Sequence, residues 1–281
     1  MNFIFKLYTL ISLIRILNVL IIFCSVIVAV ILCSPHLIIS EKYLLAALSA
    51  ALSAAGGNVI NDIFDLAADS INKPERSLPS GKISKTTAVN FYVVLLLFSL
   101  IAGYSVSLVT FTIVFFSDVL LFLYSFGLKR IPFLGSFVIS FLTGFVFIYG
   151  SIIAGNIRLA VIPAGFAFLI NLAREGIKTI EDIPGDKKSG IITFPQKYGI
   201  NFSRKLISAF LFLLLLFTFV PFVNGFYKIQ YFIIVMIIVN PLLIYVIKSL
   251  LTINRSINFN KLSLILKLNM VVGLTAIYFG R

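Results

Sequence analysis

Eight of the ten acidic residues in this 281-residue chain lie in two short stretches. Residues 61–81 read NDIFDLAADSINKPERSLPSG and residues 174–190 read REGIKTIEDIPGDKKSG; we call them the first and second acidic motifs. The other two acidic residues are Glu41 and Asp118. This concentration indicates a functional site rather than a random scatter of charge over loops.

The first motif has the spacing of a helical metal site. Asn61, Asp65 and Asp69 recur every four residues and share one face of a helix, with Asp62 beside them. Carboxylates on one stripe repel each other, most strongly at a membrane boundary, so a cation should neutralise them. A ligand set made only of oxygen favours Mg²⁺, which shares its remaining positions with water and substrate phosphate. The alternative is a solvated helix end that carries scattered acids.

The second motif repeats this chemistry. Asp182 and Asp186 are four residues apart, although Pro184 and Gly185 between them favour the end of a helix. Lysine and arginine residues are interleaved with the acids in both motifs. Two carboxylate clusters, Mg²⁺ and several cations suit a polyanionic substrate, because the metal turns a diphosphate into a leaving group. The chain has neither a P-loop nor a GxGxxG sequence for nucleotides.

The elements that carry these motifs are hydrophobic. The chain is 60% hydrophobic and 12% charged, against about 25% charged in a soluble domain, so we predict an all-α integral membrane protein. It should form one domain over residues 1–281, with nine helices around a central cavity. The predicted spans are 12–34, 42–66, 87–107, 109–127, 132–154, 159–181, 204–224, 229–250 and 262–280.

The distribution of Lys and Arg predicts the orientation. With the N-terminus inside, nineteen Lys and Arg residues lie on the cytoplasmic side and four outside, which favours a cytoplasmic N-terminus in a multi-pass protein of the cell membrane. The net charge of +13 is then a topology signal and not a sign of nucleic-acid binding. The motifs end the second and sixth spans, so both should open on the cytoplasmic face and meet across the cavity.

Other chemistries fit less well. His36 is the only histidine, which argues against a zinc site or a His-based triad. Cys24 and Cys33 fall in the first span and are expected to be packing residues. A cation-coupled transporter is a remote alternative, but transporters place intramembrane acids near the bilayer midplane rather than at helix ends. An isoprenyl diphosphate fits better, with its head at the acidic motifs and its tail among the apolar helices.

Three segments resemble the UbiA-type intramembrane prenyltransferases. The first motif resembles the family's NDxxDxxxD sequence and its N-K-P-x-R-x-L-P-S-G loop, and EDIPGDKKSGIITFPQKYG resembles its DxxxD motif followed by Gly and Thr-x-Pro. LYSFGLKR, which includes Tyr124, resembles its Tyr-Ser…Leu-Lys element. The resemblance implies Mg²⁺-dependent transfer of a prenyl group, with two ions bound.

The resemblance also implies roles for individual residues. One ion would be held by Asn61, Asp65 and Asp69 with Asp62 assisting, and the other by Asp182 and Asp186. The diphosphate would be bound by Arg76, Lys129, Lys178 and Lys73. Asp65, Asp182, Tyr124 and Lys129 would be catalytic, with Tyr124 near the developing allylic cation, and Arg15 and Asn18 would lie on the acceptor side. Lys129 with Arg130 could instead be topology determinants, and Tyr124 an interfacial residue.

The acceptor is predicted from a finer likeness. The REGIKTIEDIPGD form of the second motif is similar to the archaeal branch of the family that makes ether lipids. That branch transfers geranylgeranyl from its diphosphate to the free hydroxyl of geranylgeranylglyceryl phosphate, a lipid-phosphate acceptor. The alternative acceptor is aromatic, such as 4-hydroxybenzoate or a quinone precursor. The cations suggested for the acceptor phosphate are Lys73, Lys187, Lys188 and Lys197. Asp118, near the middle of the fourth span, has no role in this scheme.

Overall fold

The computed structural model describes residues 3–33, 40–188, 190–252 and 257–281. His36 and Arg255 lie outside these ranges, so the expectation for His36 stays a prediction. The α-helices are α1 (Phe3–Ile14), α2 (Ile16–Cys33), α3 (Glu41–Phe64), α4 (Leu66–Asn72), α5 (Lys85–Val106), α6 (Leu108–Phe126), α7 (Leu134–Ala154), α8 (Val161–Glu181), α9 (Ile183–Lys188), α10 (Phe194–Tyr198), α11 (Ile200–Phe217), α12 (Val220–Val223), α13 (Ile229–Ile234), α14 (Asn240–Leu251) and α15 (Phe259–Gly280).

Nine helical segments in the described ranges are long and apolar enough to cross a membrane. They are Ile16–Cys33, Glu41–Phe64, Lys85–Val106, Leu108–Phe126, Leu134–Ala154, Ile157–Glu181, Ile200–Val223, Ile229–Leu251 and Phe259–Gly280. The predicted all-α class and the nine spans are confirmed. Their ends differ from the predicted ones by a few residues, most at the starts of the first and seventh spans.

The start of the first span was predicted too early. Helix α1 precedes it, and the chain breaks at Arg15, whose φ of 56° is in the left-handed region. An arginine in this conformation costs free energy that its surroundings must offset. The guanidinium of Arg15 forms an ion pair with Asp62 on α3, which is a tertiary contact that hydropathy does not reveal.

Both acidic motifs keep their helical spacing across a break. Helix α3 ends at Phe64, yet the amide of Asp65 donates to the carbonyl of Asn61 at 2.9 Å and that of Asp69 donates to Asp65 at 2.7 Å. The amide of Asp186 likewise donates to the carbonyl of Asp182 at 3.1 Å. Each row of polar side chains therefore stays on one face although the helix is interrupted.

Pro184 does not end the second row as its sequence position suggested. It lies in the first turn of α9, where the missing N–H of proline removes no helical hydrogen bond. Helix α8 ends instead at Glu181, and α9 begins two residues later.

Helices α4 and α9 bring the two motifs into contact. The side chain of Asn72 donates to the carbonyl of Asp182 at 2.8 Å and accepts from the amide of Gly185 at 2.8 Å. A Cβ atom on Gly185 would lie 2.6 Å from the carbonyl oxygen of Ala68, so this approach requires glycine. The ends of the second and sixth spans therefore meet directly.

Asp118 joins three spans. Its carboxylate is buried and accepts hydrogen bonds from Ser53 on α3 at 2.5 Å and from Ser99 on α5 at 2.9 Å. Two hydroxyl donors replace the water that a carboxylate would otherwise need. Asp118, which has no role in the scheme predicted from the sequence, thus links α3, α5 and α6 through hydrogen bonds.

Candidate active site

A cavity of about 460 Å³ lies between the spans and contains residues of both acidic motifs. Twelve of the thirteen predicted site residues line it: Arg15, Asn18, Asn61, Asp65, Asp69, Lys73, Arg76, Tyr124, Lys129, Lys178, Asp182 and Asp186. The exception is Asp62, which is buried beside the cavity at 5% exposure. The folding of the chain thus brings these residues together from seven helices or turns and the segments between them.

Ion pairs hold the carboxylates of the first motif. Arg76 contacts Asp69 at 2.6 Å and Asp62 at 3.4 Å. Asp62 also pairs with Arg15. Lys129, in the short 3₁₀ turn Leu128–Arg130, pairs with Asp65. Each of these acids therefore has a cation from another element as its partner.

The second motif is paired in the same way. Lys73 contacts Asp182 at 2.6 Å, so a lysine that follows α4 binds the end of α8. Lys178 and Arg174 lie on α8 about one and two helical turns before Asp182. They contact Glu175 at 2.6 Å and 3.1 Å, respectively. Lys178, expected on the diphosphate, is thus held by Glu175.

Burial and neighbouring charge shift the pKa values at the cavity mouth. Burial alone would lower the pKa of Arg15, but the carboxylates of Asp62 and Asp69 outweigh it and raise that pKa. Burial raises the pKa of Asp69, with Arg76 opposing it. Burial, followed by repulsion from Asp182 and Asp65, raises the pKa of Asp186 to about 7. Among the described residues Asp186 has no ion-pair partner within 4 Å.

Two side chains of the acidic motifs at the cavity, those of Asn61 and Asp186, remain available to a cation. The side-chain oxygen of Asn61 is buried and has no hydrogen-bond partner among the described residues, and Asp186 lacks an ion pair. Within those ranges no three His, Cys, Asp or Glu side chains converge as a metal cage, and the other carboxylates that line the cavity, Asp65, Asp69, Glu175 and Asp182, each pair with Lys or Arg. The donor set fits Mg²⁺, which needs only one or two carboxylates when phosphate and water complete its shell.

Several cations expected near the site lie elsewhere. Lys187, Lys188 and Lys197 are exposed and do not line the cavity. The cavity instead contains Arg174, Glu175 and Lys267, to which the sequence argument gave no specific role. Their signal was the presence of charge inside apolar spans, where ionisable residues are rare unless they face a cavity.

The wall of the cavity that α6 and α7 form is mainly apolar. It includes Val114 and Leu121 of α6 and Ile139, Leu142 and Val146 of α7. Tyr124, at the end of α6, lies between this wall and the charged mouth. The cavity can therefore hold a molecule with a polyanionic head and a hydrocarbon tail.

Such a cavity, enclosed by membrane spans, with both acidic motifs at one end and apolar side chains along α6 and α7, defines an intramembrane enzyme for amphipathic phosphates. Comparison with known proteins gives the family. Residues 21–271 match the model of the UbiA prenyltransferase family. The chain belongs to this family, and it is a prenyltransferase and a multi-pass membrane protein.

Curated relatives and solved structures agree with this assignment. Digeranylgeranylglyceryl phosphate synthase of Methanocaldococcus jannaschii is 34% identical over 275 residues, 98% of this chain and 96% of the relative. The match to the relative of the same name in Methanothermobacter thermautotrophicus is 37% identical and covers 60% of each chain.

Among solved structures, one of digeranylgeranylglyceryl phosphate synthase in membranes has a TM-score of 0.75 at 34% identity and covers 98% of both chains. A UbiA homologue from Archaeoglobus fulgidus, bound to DMAPP and Mg²⁺, has a TM-score of 0.59 at 16% identity and covers 96% of this chain and 99% of its own. At this identity the second structure supports the fold alone.

Proposed function

We propose that this protein transfers a geranylgeranyl group from geranylgeranyl diphosphate to the free hydroxyl of geranylgeranylglyceryl phosphate, as a step of archaeal ether-lipid synthesis. The names of the relatives at 34% and 37% identity support this reaction. The observation that carries the proposal is the joining of both acidic motifs at the mouth of one cavity with an apolar interior.

The diphosphate head binds at the mouth. Lys73, Arg76 and Lys129 supply its positive contacts, and Lys178 lies deeper along the same wall. Mg²⁺ would be held by oxygens of Asn61, Asp65 and Asp69, and a second ion by those of Asp182 and Asp186; the metal would supply the charge neutralisation that makes the diphosphate a better leaving group. Asp62 supports this set indirectly by fixing Arg15 and Arg76.

The prenyl tail extends into the apolar part of the cavity. This places its first carbon near the Tyr124 ring, whose π face favours positive charge as the C1–O bond to diphosphate breaks. The acceptor oxygen then forms the new C1–O bond, and its hydroxyl proton passes to the released diphosphate. Most carboxylates in the cavity are engaged by cations, so the diphosphate is the better proton acceptor.

The proposed setting is the cell membrane, with the N-terminus and the cavity mouth on the cytoplasmic side. The surplus of Lys and Arg on that side supports this orientation. On that side, aqueous Mg²⁺ could enter the cavity through its mouth, and the released diphosphate could leave through it.

The decisive experiment supplies purified protein with labelled geranylgeranyl diphosphate, Mg²⁺ and one of two acceptors. We expect labelled product with geranylgeranylglyceryl phosphate and none with 4-hydroxybenzoate. Product from the aromatic acceptor alone would overturn the proposal in favour of an aromatic prenyltransferase. Omission of Mg²⁺ or addition of EDTA should abolish either reaction.

A further inference from the structure

Four cations line the cavity beside the carboxylates of the two acidic motifs. Arg174 and Lys178 on α8, Lys267 on α15 and Arg15 before α2 all line the cavity. Arg15 and Arg174 are close enough to Lys267 to repel its ammonium charge, and both also repel that of Lys178. We call these four residues the inner cation cluster.

The inner cation cluster has too few carboxylates. Arg15 is paired with Asp62, while Arg174 and Lys178 share the single carboxylate of Glu175. Lys267 has no carboxylate within 4 Å in the part of the chain that the structure describes. The buried Nε of Arg174 also has no hydrogen-bond partner there. Two positive charges are thus uncompensated in a region where desolvated charge is costly.

Arg174 and Lys267 lie at a depth distinct from the cavity mouth. Arg174 precedes Asp182 by eight residues on α8, and Lys267 follows the start of α15 at Phe259 by eight residues, a depth of about 12 Å along each helix. The end of the sixth span and the start of the ninth span share one side of the membrane, so the two cations lie at similar depth. Helices α8 and α15 pack against each other.

We propose that Arg174 and Lys267, flanked by Arg15 and Lys178, form a second anion site that binds the phosphate monoester of the acceptor lipid. The inference rests on the proposed function and deepens it. A phosphate monoester carries about −1.5 to −2 charges at pH 7 and offers three acceptor oxygens, which matches the surplus. The planar donor fork of Arg174 suits such a group. The single carboxylate of an aromatic acid would leave one charge uncompensated.

The location also separates the acceptor from the donor. Asp65, Asp69, Asp182 and Asp186 surround the mouth and would repel an acceptor phosphate, whereas the carboxylate beside Arg174 and Lys178 is that of Glu175 alone among the described residues. Met270, one turn beyond Lys267 on α15, together with Ile21 and Ile22 on α2, gives an apolar wall for the acceptor chains.

The test removes the acceptor phosphate and the lysine charge separately and together. Geranylgeranylglyceryl phosphate and its dephosphorylated alcohol, geranylgeranylglycerol, are compared as acceptors in wild type, Lys267→Met and Lys267→Arg. Lys261→Met is the matched control, because Lys261 lies on the same helix, is exposed and does not line the cavity.

We expect Lys267→Met to lower kcat/KM for the phosphate acceptor by about tenfold or more, the range of one hydrogen bond to a charged group. It should not change kcat/KM for the alcohol or KM for geranylgeranyl diphosphate. Lys267→Arg should retain most of the preference for the phosphate, and Lys261→Met should match wild type. A binding titration with geranylgeranylglyceryl phosphate in EDTA should show the same loss without turnover.

Three results would overturn the inference. If Lys267→Met keeps the wild-type preference for the phosphate, the cluster does not bind it, while the proposed function stands. If KM for geranylgeranyl diphosphate rises instead, the cluster belongs to the donor. If wild type does not use geranylgeranylglyceryl phosphate at all, the proposed function fails and the inference fails with it. Should Lys267→Met not fold, Arg174→Gln provides the same comparison.

Discussion

At the level of single residues, the carboxylates of Asp65 and Asp182 occupy matching positions in the two motifs, each at the end of a span and each paired with a lysine. We expect Asp65→Asn and Asp182→Asn each to lower kcat by about 100-fold or more, because removal of one charge-stabilising group costs that much. Turnover of labelled geranylgeranyl diphosphate measures the effect.

Glu75→Gln is the control for these variants. Glu75 lies in the part of the first motif that follows α4. It is exposed and does not line the cavity. Its removal changes the net charge equally and should leave turnover near the wild-type value. Unimpaired turnover of the Asp65→Asn and Asp182→Asn double variant would contradict the assignment of both motifs to the site.

Asp186 predicts how metal binding depends on pH. Because its pKa is raised to about 7, the carboxyl is protonated below that pH and ionised above it. A metal that binds it must displace the proton, so apparent Mg²⁺ affinity should rise with pH and should fall by about tenfold per unit below pH 7. Calorimetric titrations at about pH 6, 7 and 8 measure this slope.

In Asp186→Asn the slope should flatten over the same range, since the amide does not titrate. A slope that is unchanged in this variant would assign the displaced proton to another group. Parallel titrations in buffers of different protonation enthalpy count the protons released.

The identity of most site residues could be predicted from sequence because polar residues in apolar spans are few and regularly spaced. Their partners could not be predicted. Nothing in the spacing indicates that Lys73 binds Asp182 or that Arg15 binds Asp62, since both contacts depend on how separate helices pack. The same limit applies to Lys267. It is a single lysine in an apolar segment, and its proximity to Arg174 depends on the packing of α15 against α8.

At the level of elements, the docking of α4 on α9 depends on Gly185. In Gly185→Ala the added methyl group would lie 2.5 Å from Asn72 Nδ2 and 2.6 Å from the Ala68 carbonyl, so the two helices must separate. We expect a loss of about 1–3 kcal/mol in stability and a strong loss of turnover, because Asp182 directly precedes α9 and Asp186 lies on it, so that both are displaced when α9 moves. Thermal unfolding in detergent and turnover assays measure the two effects.

Gly273→Ala offers a comparison within α15. A Cβ atom there meets no atom within 4 Å, and alanine is favoured over glycine in a helix by about 1 kcal/mol. Stability should therefore stay the same or rise. If Gly185→Ala loses no more stability or turnover than Gly273→Ala, the approach of α4 to α9 tolerates a side chain.

The hydrogen bonds of Asp118 to Ser53 and Ser99 give a second prediction at the level of elements. Asp118→Ala removes the acceptor of two interhelical hydrogen bonds and should lower stability by about 1–2 kcal/mol. Because Asp118 does not line the cavity, KM for both substrates should change little. In Asp118→Asn the amide can still bond both serines, since a hydroxyl also accepts, and stability should lie near wild type. A KM change without a stability change would make Asp118 part of the site.

Helix positions were predicted well and helix breaks less well, for a physical reason. Hydropathy determines which segments can lie in a bilayer, so nine spans follow from composition. The break at Arg15 and the continuation of α9 through Pro184 depend on side-chain contacts and on the position of proline within a turn, which hydropathy does not encode.

At the level of the whole molecule, the orientation in the membrane is open to direct measurement. With Cys24 and Cys33 replaced by serine, a single cysteine at Lys82 or Lys228 reports each side, because both positions are exposed. A membrane-impermeant maleimide added to intact cells should label Lys228→Cys only. Permeabilised cells should label both, and labelling of Lys82→Cys in intact cells would reverse the predicted topology.

The paired charges at the cavity mouth have one more consequence. Asp62, Asp65, Asp69 and Asp182 balance Arg15, Arg76, Lys129 and Lys73 in number. A metal ion that bound alone would take carboxylates from their Lys and Arg partners and leave those cations unpaired. A diphosphate that bound alone would take the cations and leave the carboxylates unpaired. When both enter, every group exchanges one partner for another and neutrality is kept. Metal and donor should therefore show positive heterotropic linkage, each strengthening the other's affinity by the same factor.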